Sequence, residues 1–119
     1  MQRNETKLAD TPAAPLFAAL GDPVRLAMVE RLSGGGPLST LQLKQGAGAS
    51  RQAVTKHLHV LENAGLVTSG RVGRDRQWRM QADQLTAARG YLDQISKQWD
   101  LRLERLRNLV EEEDNGNPK

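Results

Sequence analysis

Between Ser50 and Met80 the apolar residues change period with no linker between the two patterns. Ser50 is a residue type that caps a helix N-terminus, and Gly65 suits the left-handed position just past a helix end. Between them Val54, Leu58 and Leu61 recur at steps of 4 and 3, flanked by Ala53 and Ala64, which predicts an amphipathic helix. The next residues, Leu66–Arg71 and Arg76–Met80, are of β type. They flank Val72-Gly-Arg-Asp75, a turn containing glycine, and so predict a two-stranded hairpin. A helix that runs straight into a hairpin has few ways to bury both apolar faces. The strand register, and with it the face each hairpin arginine takes, is not fixed by the pattern. Trp78 is expected in the core beneath the hairpin.

The flanking sequence is helical. Pro15–Leu20 reads as a short helix ended by Gly21. Asp22-Pro23 pairs an N-cap with a first-turn proline and opens a second helix. Its apolar residues are Val24, Leu26, Ala27, Met28, Val29 and Leu32, and Gly34-Gly-Gly-Pro37 stops it. Ser39 and Gln42 form a capping box for a short helix with Leu41 and Leu43 that ends near Gly46. Residues 46–49 form a tight turn. A final long helix is expected from about Asp83 to Glu113. Leu85, Ala88, Leu92, Ile95, Trp99, Leu106 and Leu109 recur there in steps of 3 and 4, with Arg102 as the one polar break, and Leu103 and Val110 widen the stripe.

The fold class is therefore mainly α with a small β-hairpin, a winged helix-turn-helix. At 119 residues one domain is expected, over residues 13–113, with a flexible N-terminus, 1–12, and a disordered tail, 114–119. The chain has no cysteine, which removes disulfides, thiolate metal sites and cysteine nucleophiles together. It has no apolar run long enough to span a membrane and no apolar signal core, so a cytoplasmic protein without a membrane partner is expected.

Net charge is +3, but it is unevenly distributed. Residues 51–80 carry six basic against two acidic residues, while residues 81–119 carry six against eight. A basic segment of this kind is the electrostatic footprint of a phosphate-backbone partner. Within it, Arg51, Gln52, Thr55, Lys56 and His59 lie away from the Val54–Leu58–Leu61 face, and Ser50 at the helix start joins them as a candidate contact. Arginine and glutamine suit guanine and adenine edges, and threonine a thymine methyl or a phosphate. Lys56 suits phosphate. Arg71, Arg74 and Arg76 of the hairpin join them as candidate contacts, with Arg74 at the tip placed for phosphate or a minor groove. His57 and His59 diverge by about 200° on one helix and cannot share a metal ion. His57 is expected to pack or hydrogen-bond at the helix–wing junction, and His59 to meet phosphate or water.

Three segments together resemble the ArsR-type winged-helix regulators: Leu16-Phe-Ala-Ala-Leu-Gly-Asp-Pro-Val-Arg-Leu26, Ser50–Leu66, and Gly73-Arg-Asp-Arg-Gln-Trp78. The resemblance covers roughly residues 14–110. It implies a homodimeric transcriptional repressor that binds a palindromic double-stranded DNA operator. It also implies dimerisation through the first and last helices, which nominates Leu16 and Phe17 beside Leu92, Ile95, Trp99, Leu103 and Leu106. Many such regulators respond to metals through a Cys-x-Cys pair on the helix before the reading helix, where this chain has Ser39 and Leu41. Others use Asp and His ligands on the last helix, which has no histidine here. No metal and no cofactor are expected, and the effector, if one exists, is unspecified. Ala47 and Ala49 stand where many relatives have leucine, which predicts a looser turn.

Two readings from other classes compete with a DNA-binding regulator. One is a winged-helix module for protein assembly without sequence-specific DNA binding. The other is an enzyme, for which no nucleophile–base or paired-carboxylate spacing is present.

Overall fold

The computed structural model describes residues 13–115. The elements are α1 (Ala13–Leu20), α2 (Pro23–Gly34), β1 (Leu38–Ser39), α3 (Thr40–Lys44), α4 (Arg51–Asn63), β2 (Val67–Val72), β3 (Asp75–Met80) and α5 (Ala82–Asn115). The expected N-terminal stretch 1–12 lies outside the described residues, as do residues 116–119 of the expected tail. The last helix continues two residues beyond Glu113. The chain divides between Ala88 and Arg89 into two compact units.

The caps read from sequence are present. The Asp22 carboxylate accepts the backbone N–H groups of Val24 (2.8 Å) and Arg25 (3.1 Å). The Ser39–Gln42 capping box is reciprocal, at 3.1 Å and 2.8 Å. Ser50 Oγ accepts the Ala53 N–H at 3.2 Å. Each cap satisfies donors that a helix start leaves without partners.

One strand was not legible in the sequence. Leu38–Ser39 pairs with β3, so the sheet is three-stranded and antiparallel in the order β1-β3-β2. Two residues give no periodicity to read. The pairing anchors the wing to the start of α3, where the capping box already holds the chain.

The core of the first unit is continuous. Leu16, Met28, Leu32, Leu43, Val54, Leu58, Leu61, Leu66, Val67, Trp78 and Ala88 are buried together. The face of α4 read from sequence is the one that is buried. The faces of α2 and α3 are narrower than expected. Leu26 and Leu41 are 43% and 55% exposed, and Ala27 is exposed as well. On α2 the buried positions are Met28, Val29 and Leu32. On the five-residue α3 only Leu43 is buried, because a helix of little more than one turn has one inward position. Ala47 and Ala49 pack partly buried against this core. Beside Ala47 a hollow of 170 Å³ lies between α2 and the turn, walled by Val24, Met28 and Leu43.

Two arginines stitch the helices together. Arg31 of α2 donates from its guanidinium to the carbonyls of Gln42 (3.0 Å), Leu43 (3.2 Å) and Gln45 (3.0 Å). These carbonyls sit at the end of α3, where no intrahelical partner remains, and the cation meets the negative end of the helix. Arg25 donates to the Ala19 carbonyl at 2.7 Å and lies 3.1 Å from His57 Nδ1. Arginine has only donors, so in a hydrogen bond between them the imidazole nitrogen is the acceptor. His57 therefore joins α4 to α2 and not, as expected, to the wing.

The indole N–H of Trp78 donates to Thr40 Oγ1 at 2.9 Å. Trp78 is buried, so Thr40→Val would leave this donor without a partner. That is expected to cost about 1–3 kcal/mol of unfolding free energy, measured by urea denaturation. A second prediction concerns Asp22. The Arg25 N–H, with a further contribution from Val24, holds its carboxyl below the usual carboxylate value. A folded-state pKa below the unfolded one adds stability that is complete at neutral pH and is lost as pH falls through the lowered value. Asp22→Asn keeps a capping oxygen, and the variant's stability between pH 6 and pH 3 is expected to fall less steeply than that of the parent protein.

Candidate nucleic-acid interface

Burial of Val54, Leu58 and Leu61 fixes the rotation of α4 and turns its other residues outward. They fall into two rows at i, i+4 spacing. Arg51, Thr55 and His59 face the wing, and Gln52 and Lys56 form the neighbouring exposed row. The first row is one wall of a groove of 390 Å³. Arg71, Arg74 and Arg76 of the hairpin are the other wall. The groove thus brings six of the nine expected contact residues together. Gln52 and Lys56 lie beside it on the open face of α4, and Ser50 stands at the helix start.

The hairpin register explains the second wall. Arg71 pairs with Arg76 and Ser69 with Trp78, so cross-strand alternation puts Ser69, Arg71, Arg76 and Trp78 on one face. Arg79 pairs with Thr68 on the opposite face and leaves the groove. The turn is tighter than expected. Val72 and Asp75 pair directly, which leaves a two-residue loop of Gly73 and Arg74. Gly73 has φ +64°, and among the described residues only glycines take positive φ. A left-handed first position followed by an ordinary second one is the pattern of a type II′ turn, whose twist matches the strands. Gly65 has a second reason for being glycine. Its φ is +79°, and a Cβ would come within 2.9 Å of the Gln84 side chain.

The groove is electrostatically one-sided. Arg51, Arg71, Arg74 and Arg76 line it, against the single carboxylate of Asp75. Arg71 and Arg76 are directly opposed across the strands, an arrangement that is unfavourable unless an anion lies between them. Arg76 is held in place. Its Nε donates to Ser69 Oγ at 3.1 Å, and its guanidinium lies 5.6 Å from the Trp78 ring centroid. Ser69 Oγ donates in turn to Glu62 Oε2 at 3.1 Å. The other Glu62 oxygen is 3.4 Å from His59 Nδ1, and the His59 ring meets Trp78 edge-on at 5.8 Å. The α4 side and the wing side of the groove are thereby tied through Glu62, Ser69 and Trp78.

Local bonding narrows what individual residues can do. The Thr55 hydroxyl donates to the Arg51 carbonyl at 2.9 Å, so its proton is engaged within α4. Ser50 Oγ accepts in the cap, but its own proton stays available. Ser39, Thr40 and Leu41 also line the groove and were not among the expected contacts. No sequence signal marks them, since the outward placement of Leu41 is decided by packing. Among the described residues no group of three or more His, Asp or Glu side chains could hold a metal ion. No described helix is long and apolar enough to cross a membrane.

The expected dimer-interface residues separate into two sets. Leu16 is only 2% exposed and belongs to the core of its own chain, so it has almost no surface to offer a partner. It sits on the inward face of α1 against α2. Phe17 is half-buried against the same core. In the second unit Leu92, Ile95, Trp99, Leu103 and Leu106 are each 45–55% exposed.

Comparison with known proteins bears on this arrangement. Residues 20–70 match a helix-turn-helix domain family. The chain is 37% identical over 97 residues to the HTH-type transcriptional regulator Rv2034 of Mycobacterium tuberculosis, covering 82% of this chain and 87% of that protein. It is 43% identical over 67 residues to YuzN of Bacillus subtilis, an uncharacterized HTH-type transcriptional regulator, covering 51% and 73%. Among solved structures, an ArsR-like transcriptional regulator from Rhodococcus sp. RHA1 superposes with a TM-score of 0.71 at 34% identity, covering 82% of this chain and 92% of that one. The order of elements, the basic groove between helix and wing, and this extent of identity agree: the chain belongs to the ArsR family of winged helix-turn-helix transcriptional regulators.

Proposed function

We propose that the protein acts as a homodimeric, sequence-specific repressor. In this reading α4 enters the major groove of a palindromic operator and the β2–β3 wing lies along the adjacent backbone. The observation that carries the reading is the shared groove, where Arg51 of the helix faces Arg71, Arg74 and Arg76 of the wing. A polyanion is the partner that relieves this concentration of like charge. The membership of a regulator family supports the same class of function.

The roles differ by position. Arg51 and Gln52, at the helix start, approach base edges first, and the positive end of the helix dipole adds to their attraction. Thr55 offers its methyl to thymine. Lys56 and the wing arginines engage phosphates, which set position and affinity but carry no sequence information. Arg74, at the apex of the two-residue loop, reaches furthest and serves the backbone or a minor groove. The exposed stripe of α5 provides the contact between two copies. Twofold symmetry then places two copies of α4 about one DNA turn, ~34 Å, apart and makes the operator a palindrome. Occupancy of an operator by such a dimer excludes other proteins from it, which is the basis of repression.

The test is selection of bound sequences from random DNA, followed by competition gel shifts. Arg51→Ala and Gln52→Ala are each expected to lose about 1–3 kcal/mol of discrimination at one base pair of each half-site. Arg74→Ala is expected to weaken binding to all sequences alike. It should lower the slope of log affinity against log salt by about one per arginine removed. Full discrimination retained by both helix variants would reject α4 as the reading element. Absence of saturable binding at ~150 mM salt would instead favour a protein-assembly module.

A further inference from the structure

His59 is one of two histidines in the chain, and its surroundings hold the ring in one orientation. Nδ1 lies 3.4 Å from Glu62 Oε1, and the ring meets Trp78 edge-on at 5.8 Å. Glu62 is itself fixed, because its other oxygen accepts the Ser69 hydroxyl at 3.1 Å and Ser69 Oγ accepts from Arg76 Nε. Nε2, on the far side of the imidazole, has no hydrogen-bond partner among the described residues. The side chain is 49% exposed and lines the groove between α4 and the wing.

That orientation decides what the imidazole can offer a ligand. A carboxylate only accepts, so in a hydrogen bond between the two, Nδ1 is the donor. Neutral His59 then carries its one proton on Nδ1, and Nε2 presents only a lone pair. A phosphate oxygen, also an acceptor, is repelled by it. Protonated His59 keeps the bond to Glu62 and presents an N–H instead, which a phosphate accepts as a charge-assisted hydrogen bond. Glu62 thus turns the charge change of an imidazole, which falls between about pH 5 and 8, into a change from acceptor to donor.

We infer that His59 is a proton-gated phosphate contact, with Glu62 as the residue that positions it. Binding of DNA takes up about one proton per protomer at this ring, and affinity for the operator falls as pH rises through neutrality. The inference rests on the DNA-binding reading above and adds a means of regulating it.

The charges around the ring give the direction. Glu62 of α4 and Asp75 of the wing favour the imidazolium, while Arg51 on the same row of α4 and Arg71, Arg74 and Arg76 of the wing oppose it. Lys56 stands on the neighbouring row of α4, and the α3 side of the groove brings no titratable group. In the free protein the guanidinium ions therefore outnumber the carboxylates. A DNA backbone in the groove reverses this. Each phosphate offsets a guanidinium and adds an anion beside the ring, so the bound state holds the proton more tightly than the free state. A polyanion that prefers the protonated ring is bound more weakly as pH rises. His57 does not share this setting, since its Nδ1 faces Arg25 of α2.

The test uses a duplex recovered by the selection described above. It is titrated with the full-length protein from pH 6 to pH 8 at one fixed salt concentration, because salt alone moves such affinities. The parent protein is expected to lose roughly five- to tenfold in affinity per protomer over that range. His59→Gln, neutral throughout, is expected to bind across the range about as weakly as the parent does at pH 8. His59→Lys, charged throughout, is expected to keep the parent's pH 6 affinity at pH 8. In Glu62→Gln the amide can donate to Nδ1, which lets neutral His59 carry its proton on Nε2, and the pH effect is expected to shrink to about twofold or less. The ¹⁵N shifts of the two imidazoles report tautomer and charge. They are expected to show His59 protonated on Nδ1 in the free parent at pH 8, and on both nitrogens with DNA at pH 7. Affinity independent of pH in the parent, or the parent's pH dependence surviving in His59→Gln, would overturn the inference and leave the DNA-binding reading standing. The same dependence retained in Glu62→Gln would overturn the role given to Glu62. No saturable binding at any pH would overturn both the inference and the reading beneath it.

Discussion

The arrangement of the first unit depends on the burial of Trp78. Its ring is the largest fully buried side chain, it sits on β3, and β3 is the central strand. From there it meets residues of α3, α4 and the wing that line the groove. Its N–H is bound by Thr40 at the start of α3, His59 of α4 meets its edge, and Arg76 lies over its face. A large aromatic ring with one polar atom must be both packed and hydrogen-bonded, and few positions allow both. That requirement sets the distance between the wing and α4, and so the width of the groove.

Charge is placed on this frame with the same economy. Arg25 and Arg31 are structural, joining helices through carbonyls and an imidazole. Arg79 leaves by the far face of the wing. Only Arg51, Arg71, Arg74 and Arg76 converge. Charge by segment had pointed to the region but could not separate bracing arginines from those left for a ligand. The Glu62–Ser69–Arg76 chain shows why an acidic residue belongs beside a basic groove: it orients one guanidinium and leaves the others free.

Helix existence and face were largely legible in the sequence, because caps and 3.6-residue spacing are local. Asp22, Ser39 and Ser50 announced three helix starts, and Val54, Leu58 and Leu61 the buried face of α4. The shorter elements were less legible. Leu41 and Leu43 look alike in a five-residue helix, and only packing against α2 and α4 decides which is inward. Strand β1 has no periodicity of its own and exists because β3 offers it an unpaired edge. His57 looked like a wing residue from its neighbours in the chain, yet its partner is Arg25, 32 residues away.

By itself the sequence determined the helix boundaries, the hairpin, the basic middle segment and the family resemblance, all of which depend on residues close together along the chain. Tertiary structure decided which side chains share a site. It put Leu16 in the core of its own chain, freed the α5 stripe only beyond Ala88, and set Arg71 beside Arg76 through a register no local pattern could specify. The physical reason is that a cap or a turn is satisfied by its neighbours in sequence. A groove is made by surfaces brought together when distant apolar faces are buried against each other.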